Sequence, residues 1–77
     1  MQSTSKIEID AGAFDAIKKN ASLLCNGVVK IHDDFNIGDG IDVVLNDKNV
    51  AKGIAKISSN EISDNTVLIH IDDLIIL

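Results

Sequence analysis

Two histidines, one cysteine, two adjacent pairs of aspartates and one short glycine-flanked loop are the places where this sequence could do chemistry. His32 stands beside Asp33 and Asp34, and imidazole with carboxylates is the donor set of a metal site or an acid–base pair. A metal centre needs three or four converging ligands, and no further well-spaced ligand accompanies His32. His70 reads as a strand residue whose ring hydrogen-bonds a neighbour. Asp33-Asp34 and Asp72-Asp73 lack the spacing of a calcium loop and read as solvated carboxylates. Cys25 would need a base and an electropositive setting to act as a nucleophile, and the sequence places neither nearby. Gly38-Asp39-Gly40 lacks the lysine and the strand-to-helix setting of a phosphate-binding loop, so it reads as a turn. The sequence thus predicts no catalytic, cofactor-binding or metal-ligating residue.

The elements that position these residues follow from apolar spacing. Lys6 to Ile9 alternates, a short strand with Ile7 and Ile9 inward, preceded by a polar stretch, residues 1–5, expected to fray. Asp10 is placed to cap a helix over about Ala11 to Asn20, with Ile9 and Phe14 at staple positions. Phe14, Ile17 and Ala21 give that helix one buried face, and Lys18 and Lys19 complement its carbonyl end. Asn26-Gly27 is a turn pair. A strand follows at Val28 to His32, with Val29 and Ile31 on one side. Phe35 is expected to plug the core from a loop.

Ile41 to Leu45 and Val50 to Ile57 read as a hairpin around the four-residue turn Asn46-Asp47-Lys48-Asn49. Gly53, inside the second strand, predicts a bend, a bulge or close packing against another backbone. Ser58 with Glu61 resembles a capping box opening a helical turn. A strand over about Thr66 to Ile71 and the aliphatic end Leu74 to Leu77, expected to pair as a strand, complete the chain. The fold class is mainly β with one short helix and a helical turn, a small, partly closed β-barrel in a single domain over residues 1–77.

Composition narrows the function. Seventy-seven residues hold one domain, and 45% apolar residues exclude disorder. Valine and isoleucine dominate and proline is absent, which favours strands joined by Gly, Asn and Asp turns. The net charge of −5, from twelve acids against seven lysines without arginine, opposes nonspecific binding to DNA or to an anionic membrane. No apolar run approaches the roughly 20 residues of a membrane span. One unpaired cysteine agrees with a reducing, cytoplasmic setting.

Three blocks then carry a family resemblance: Ser22-Leu23-Leu24 with Gly27-Val28-Val29, Asp34-Phe35-Asn36-Ile37-Gly38-Asp39, and Ala51 through Ser58-Ser59-Asn60-Glu61. With Asp10-Ala11-Gly12-Ala13 before them and His70-Ile71-Asp72-Asp73-Leu74 after, this ordered set resembles the PUA domain over about residues 6 to 76. The most similar version is the one at the C-terminus of glutamate 5-kinase. Cys25 stands where that pattern has proline, Ile57 where it often has tyrosine and Ile71 where it often has arginine.

The resemblance implies a non-catalytic accessory or regulatory module of a proline-biosynthesis kinase, or a freestanding relative. Its partner would be a kinase domain or another protein, and the kinase chemistry would reside in a separate domain. The family also includes RNA-binding modules. Resemblance carries their docking face onto Lys19, Ser22, Asn26, Gly27 and Lys30, with His70 nearby. Helix capping and turn making account for the same residues, and no aromatic platform for stacking bases is present. A third possibility is an interaction domain or homodimer using the aliphatic C-terminal strand as an edge.

Overall fold

The computed structural model describes residues 5–77. Seven strands run at Ser5–Ile9 (β1), Leu23–Leu24 (β2), Val28–Ile31 (β3), Gly40–Leu45 (β4), Lys48–Ile54 (β5), Val67–Ile69 (β6) and Leu74–Ile76 (β7). One α-helix, Ala11–Lys18 (α1), follows β1, and single 3-10 turns occupy Cys25–Gly27, Ser59–Glu61 and Ile71–Asp73. Five strands form one sheet in the order β3-β1-β4-β5-β7, and β2 pairs with β6 in a second, two-stranded sheet. The pair β1–β4 is parallel and every other pair antiparallel. The larger sheet remains open, with β3 and β7 as its edges, so the barrel is partial.

A backbone hydrogen bond joins the two sheets. Lys56 N, just past β5, donates to Leu68 O of β6 at 2.8 Å, while Cys25 N donating to Thr66 O at 2.9 Å extends the β2–β6 pair. Ile7, Ile9, Ile41, Val43 and Ala51 from the large sheet meet Ile17 of α1, Leu23, Leu68 and Ile69 in one buried cluster. Phe35, 2% exposed, fills it from the loop before β4, as its isolation between polar residues predicts. Methyl and methylene burial of this kind is the main force holding so small a domain together.

Several expectations shift in register. Ser5, expected to fray, opens β1 opposite Ile41, and its hydroxyl donates to Asp34 O at 2.9 Å. Asp10 caps α1 by accepting from Ala13 N at 2.7 Å. The helix stops at Lys18, short of Asn20. Asn20 takes a left-handed φ of 66°, while Asn20 N donates to Ile17 O and Ala21 N to Ala16 O. That is a Schellman ending, and it swings Ala21 out of the helical face and into solvent. Lys18 closes over the Phe14 ring at 4.6 Å and pairs with Asp15 at 3.5 Å.

Three β-bulges break the alternation that the sequence pattern assumes. Glu8 pairs with Lys30 and Ile9 with Val28, so Val29 is the unpaired residue and faces outward, 64% exposed. Val43 pairs with Ala51 and Val44 with Asn49, leaving Val50 unpaired. Leu23 pairs with Ile69 and Leu24 with Val67, so the neighbours Leu68 and Ile69 can both be fully buried. The hairpin turn is tighter than expected. Asn46 and Asp47, at φ 52° and 65°, make a two-residue loop of the type that suits strand twist, and Lys48 already belongs to β5.

Gly53 is a site of close packing. A Cβ there would stand 2.5 Å from Ile69 Cγ2 and 2.8 Å from the Asp73 carbonyl oxygen. Ser58 precedes a helical turn, but no side chain caps it. The Ser58 hydroxyl instead donates to the Glu61 carboxylate at 2.6 Å. The aliphatic end pairs as expected, β7 lying antiparallel to β5 from Ala51↔Ile76 to Gly53↔Leu74.

Candidate functional site

The surface worth testing lies where the end of α1, the chain from Ala21 to Gly27 and β2 meet. The Schellman turn reverses the chain after α1. The 3-10 turn Cys25–Gly27 then folds it back along the helix. Gly27 makes the closeness possible: a Cβ there would lie 2.4 Å from Ala13 Cβ, and its carbonyl accepts from Asp10 N at 3.1 Å. Between these elements is a cleft of about 290 Å³ whose walls include Ala13, Ala16, Leu23, Leu24 and the carboxylate-bearing Asp10.

Of the six residues that resemblance singles out, Ser22, Asn26 and Gly27 line this cleft. Ser22 Oγ accepts from Ile71 N at 2.9 Å, which ties the cleft wall to the segment containing His70. Asn26 is fastened twice to Asn65: its Oδ1 accepts from Asn65 N, and its Nδ2 donates to Asn65 Oδ1 at 3.3 Å. His70 Nδ1 accepts from Asp72 N at 3.1 Å, so the neutral ring carries its proton on Nε2. It thereby caps the 3-10 turn Ile71–Asp73: the ring bonds a neighbour as expected, but β6 ends at Ile69, so His70 is a cap rather than the strand residue expected. Lys19 and Lys30 do not line the cleft. Lys19 ends α1, and Lys30 stands opposite Glu8 in the β1–β3 ladder. The charged side chain at the cleft itself is therefore an acid.

Asn65 is the residue that sequence reasoning missed. Its left-handed φ of 67° and its place in the polar run Ser63-Asp64-Asn65 mark a turn. Its contact with a residue 39 positions earlier leaves no local trace. A second, polar hollow of about 310 Å³ lies at Asp34, Phe35, Asn36, Ser59 and Asn60. Its groups are bonded among themselves: Phe35 N donates to Ser59 Oγ at 3.2 Å and Ser59 N to Phe35 O at 2.9 Å.

The other chemical suspects have structural surroundings. His32 Nε2 lies 3.4 Å from Glu8 Oε2, across the sheet. Among the described residues, no three His, Cys, Asp or Glu side chains converge as metal ligands. Cys25 is buried; burial pushes its thiol pKa up and the Asp64 carboxylate adds to the rise, while a backbone hydrogen bond at Ser63 works against both. A protonated thiol without a base is a poor nucleophile. No helix among the described residues is long and apolar enough to cross a membrane.

An open mixed sheet, a single helix tucked behind its first strand and a two-stranded pair carrying the late segment define a small β module of the PUA class. Residues 5–67 match the family model described as PUA domain, and the chain belongs to the PUA domain family. It is 45% identical over 64 residues to the glutamate 5-kinase of Prochlorococcus marinus (strain AS9601), covering 80% of this chain and 18% of that protein. The probable glutamate 5-kinase of Schizosaccharomyces pombe matches at 36% over 64 residues, 80% of this chain and 16% of the relative. The Streptococcus suis glutamate 5-kinase matches at 35% over 81 residues, 92% and 23%. The chain thus spans about a fifth of the length of these relatives. In fold it is similar to a PUA domain of Aeropyrum pernix K1 solved as a tartrate complex, with a TM-score of 0.69, 24% identity, and coverage of 86% of this chain and 41% of the other.

Proposed function

We propose that this chain is a non-catalytic accessory module of the glutamate 5-kinase type, acting by binding a kinase domain. The observation that carries the reading is the identity of up to 45% with glutamate 5-kinases, confined to about a fifth of their length. The chemistry of the described residues agrees with it. The cleft holds an acid and methyl groups, Cys25 is a buried thiol, and each histidine has a neighbouring partner.

A chimera tests this directly. This chain replaces the matched segment of the Prochlorococcus marinus glutamate 5-kinase, and glutamate phosphorylation is assayed beside the same enzyme lacking the segment. Assembly or kinetics restored toward the intact enzyme supports the reading. A chimera that behaves like the truncated enzyme while folded contradicts it.

RNA binding is the second reading, and one observation favours it: Ser22, Asn26 and Gly27 of the expected docking face do share one cleft. Phosphate contacts make affinity fall steeply with salt. A residue-resolved NMR titration with structured RNA at low and physiological salt reads this out. Salt-sensitive shifts confined to Lys19–Lys30 and the last strands would favour RNA; a flat spectrum at low salt removes it.

A further inference from the structure

Asn26-Gly27 is the single Asn-Gly pair in the sequence. With no Cβ beside it, the Gly27 nitrogen is unhindered as a nucleophile toward the Asn26 side-chain carbonyl. The reaction needs only water and a base. Solvent base takes the Gly27 N–H proton, a bond forms from that nitrogen to Asn26 Cγ, and the Cγ–Nδ2 bond breaks. Ammonia leaves after taking a proton from water, and a five-membered imide remains. Water then opens the ring at either carbonyl, giving an aspartyl or an isoaspartyl linkage. No electrons are gained or lost.

The fold holds this pair away from that geometry. Asn26 is exposed, yet it sits inside a 3-10 turn whose two sides are pinned, Cys25 N to Thr66 O at 2.9 Å and Gly27 O by Asp10 N at 3.1 Å. Its side-chain oxygen and nitrogen are both engaged by Asn65. Ring closure requires the side chain to leave Asn65 and the Asn26 backbone to rotate out of the turn, since reaction follows only from a near-attack arrangement. We propose that Asn26 is a latent deamidation site, kept closed by the two-bond latch to Asn65, so that local opening at residues 62–66 sets its rate. Once the isoaspartyl product forms, an extra backbone methylene lies inside a turn fixed at both ends. The wall of the cleft is then changed irreversibly and carries one more negative charge.

The test follows conversion of amide to acid at Asn26 by peptide mass mapping of the 77-residue chain at mildly alkaline pH. Folded protein is compared with protein in strong urea and with two variants. Asn65→Gly removes the side-chain acceptor for Asn26 Nδ2, leaves the backbone N–H that donates to Asn26 Oδ1 in place and tolerates the left-handed φ, whereas Asn65→Asp keeps both bonds. The folded chain is expected to react at least roughly ten-fold more slowly than the unfolded one, because the reaction proceeds only from the open state. Asn65→Gly, with one of the two latch bonds gone, closes part of that gap and Asn65→Asp stays slow. A folded wild type that reacts as fast as the unfolded chain overturns the proposal, as does a folded Asn65→Gly with an unchanged rate. If Asn65→Gly does not fold, the wild type in rising, sub-denaturing urea decides. Deamidation must then climb in parallel with hydrogen exchange at the Asn65 amide, and a rate flat up to global unfolding contradicts the latch.

Discussion

At the scale of single residues, the suspects for chemistry are mostly explained by what they hold in place. Cys25 gives the sharpest test. Its folded-state pKa is raised above the ordinary value of 9.0, mainly by burial. Below that ordinary value both folded and unfolded thiols are protonated, and the contribution to stability is fully present. As pH rises from about 9 toward the folded pKa, the unfolded chain loses its proton first, so stability falls. Denaturant melts between pH 8 and 11 should show that decline in wild type, and Cys25→Ala should lack this component. An aromatic disulfide reagent should label Cys25 slowly in the native protein and fast in denaturant. Asp10, Ile7, Ile9 and Phe35 were legible in the sequence because their roles follow from local spacing. Asn65 was not, because its partner is 39 residues away.

At the scale of elements, the sequence carried their existence and order but not their bulges. Alternation predicted that Val29 would share a side with Ile31. The extra residue in β3 turns Val29 outward, and nothing local distinguishes a bulged strand from a regular one. The end of α1 is a similar case. Asn20 is a plausible helical residue by pattern, yet it ends the helix by taking a left-handed φ. Asn20→Ala should therefore cost up to about 1 kcal/mol, because alanine lacks the short polar side chain that makes the left-handed conformation tolerable to asparagine, while Asn20→Gly, which has no Cβ to strain, should be neutral or slightly stabilising. Thermal unfolding of the two variants distinguishes them. Gly53→Ala should be worse, about 1–3 kcal/mol, because the added methyl meets both the Ile69 side chain and the rigid Asp73 carbonyl. An unperturbed melting temperature for Gly53→Ala would show that β7 and its preceding turn can shift freely.

At the scale of the whole molecule, the open sheet leaves β7 as an edge. Ile75, Ile76 and Leu77 are 53%, 40% and 64% exposed there. An exposed aliphatic edge strand pairs readily with another chain. The isolated chain should therefore show concentration-dependent sedimentation, and Ile75→Lys, which changes the outer face opposite Lys52, should return it to monomer. A monomer at all concentrations in both proteins would remove self-pairing. The acidity that argued from the start against a phosphate backbone is matched locally, since Asp10 lines the cleft and Lys19 and Lys30 do not.

Under the proposed function, this domain serves a kinase partner rather than a nucleic acid. The most direct measurement is an NMR titration of the isotopically labelled chain with the Prochlorococcus marinus glutamate 5-kinase lacking its matched segment, repeated with structured RNA. Saturable shifts with the kinase, and none with RNA at low salt, are predicted. Salt-sensitive shifts around Ser22–Gly27 with RNA, and none with the kinase, would contradict the account.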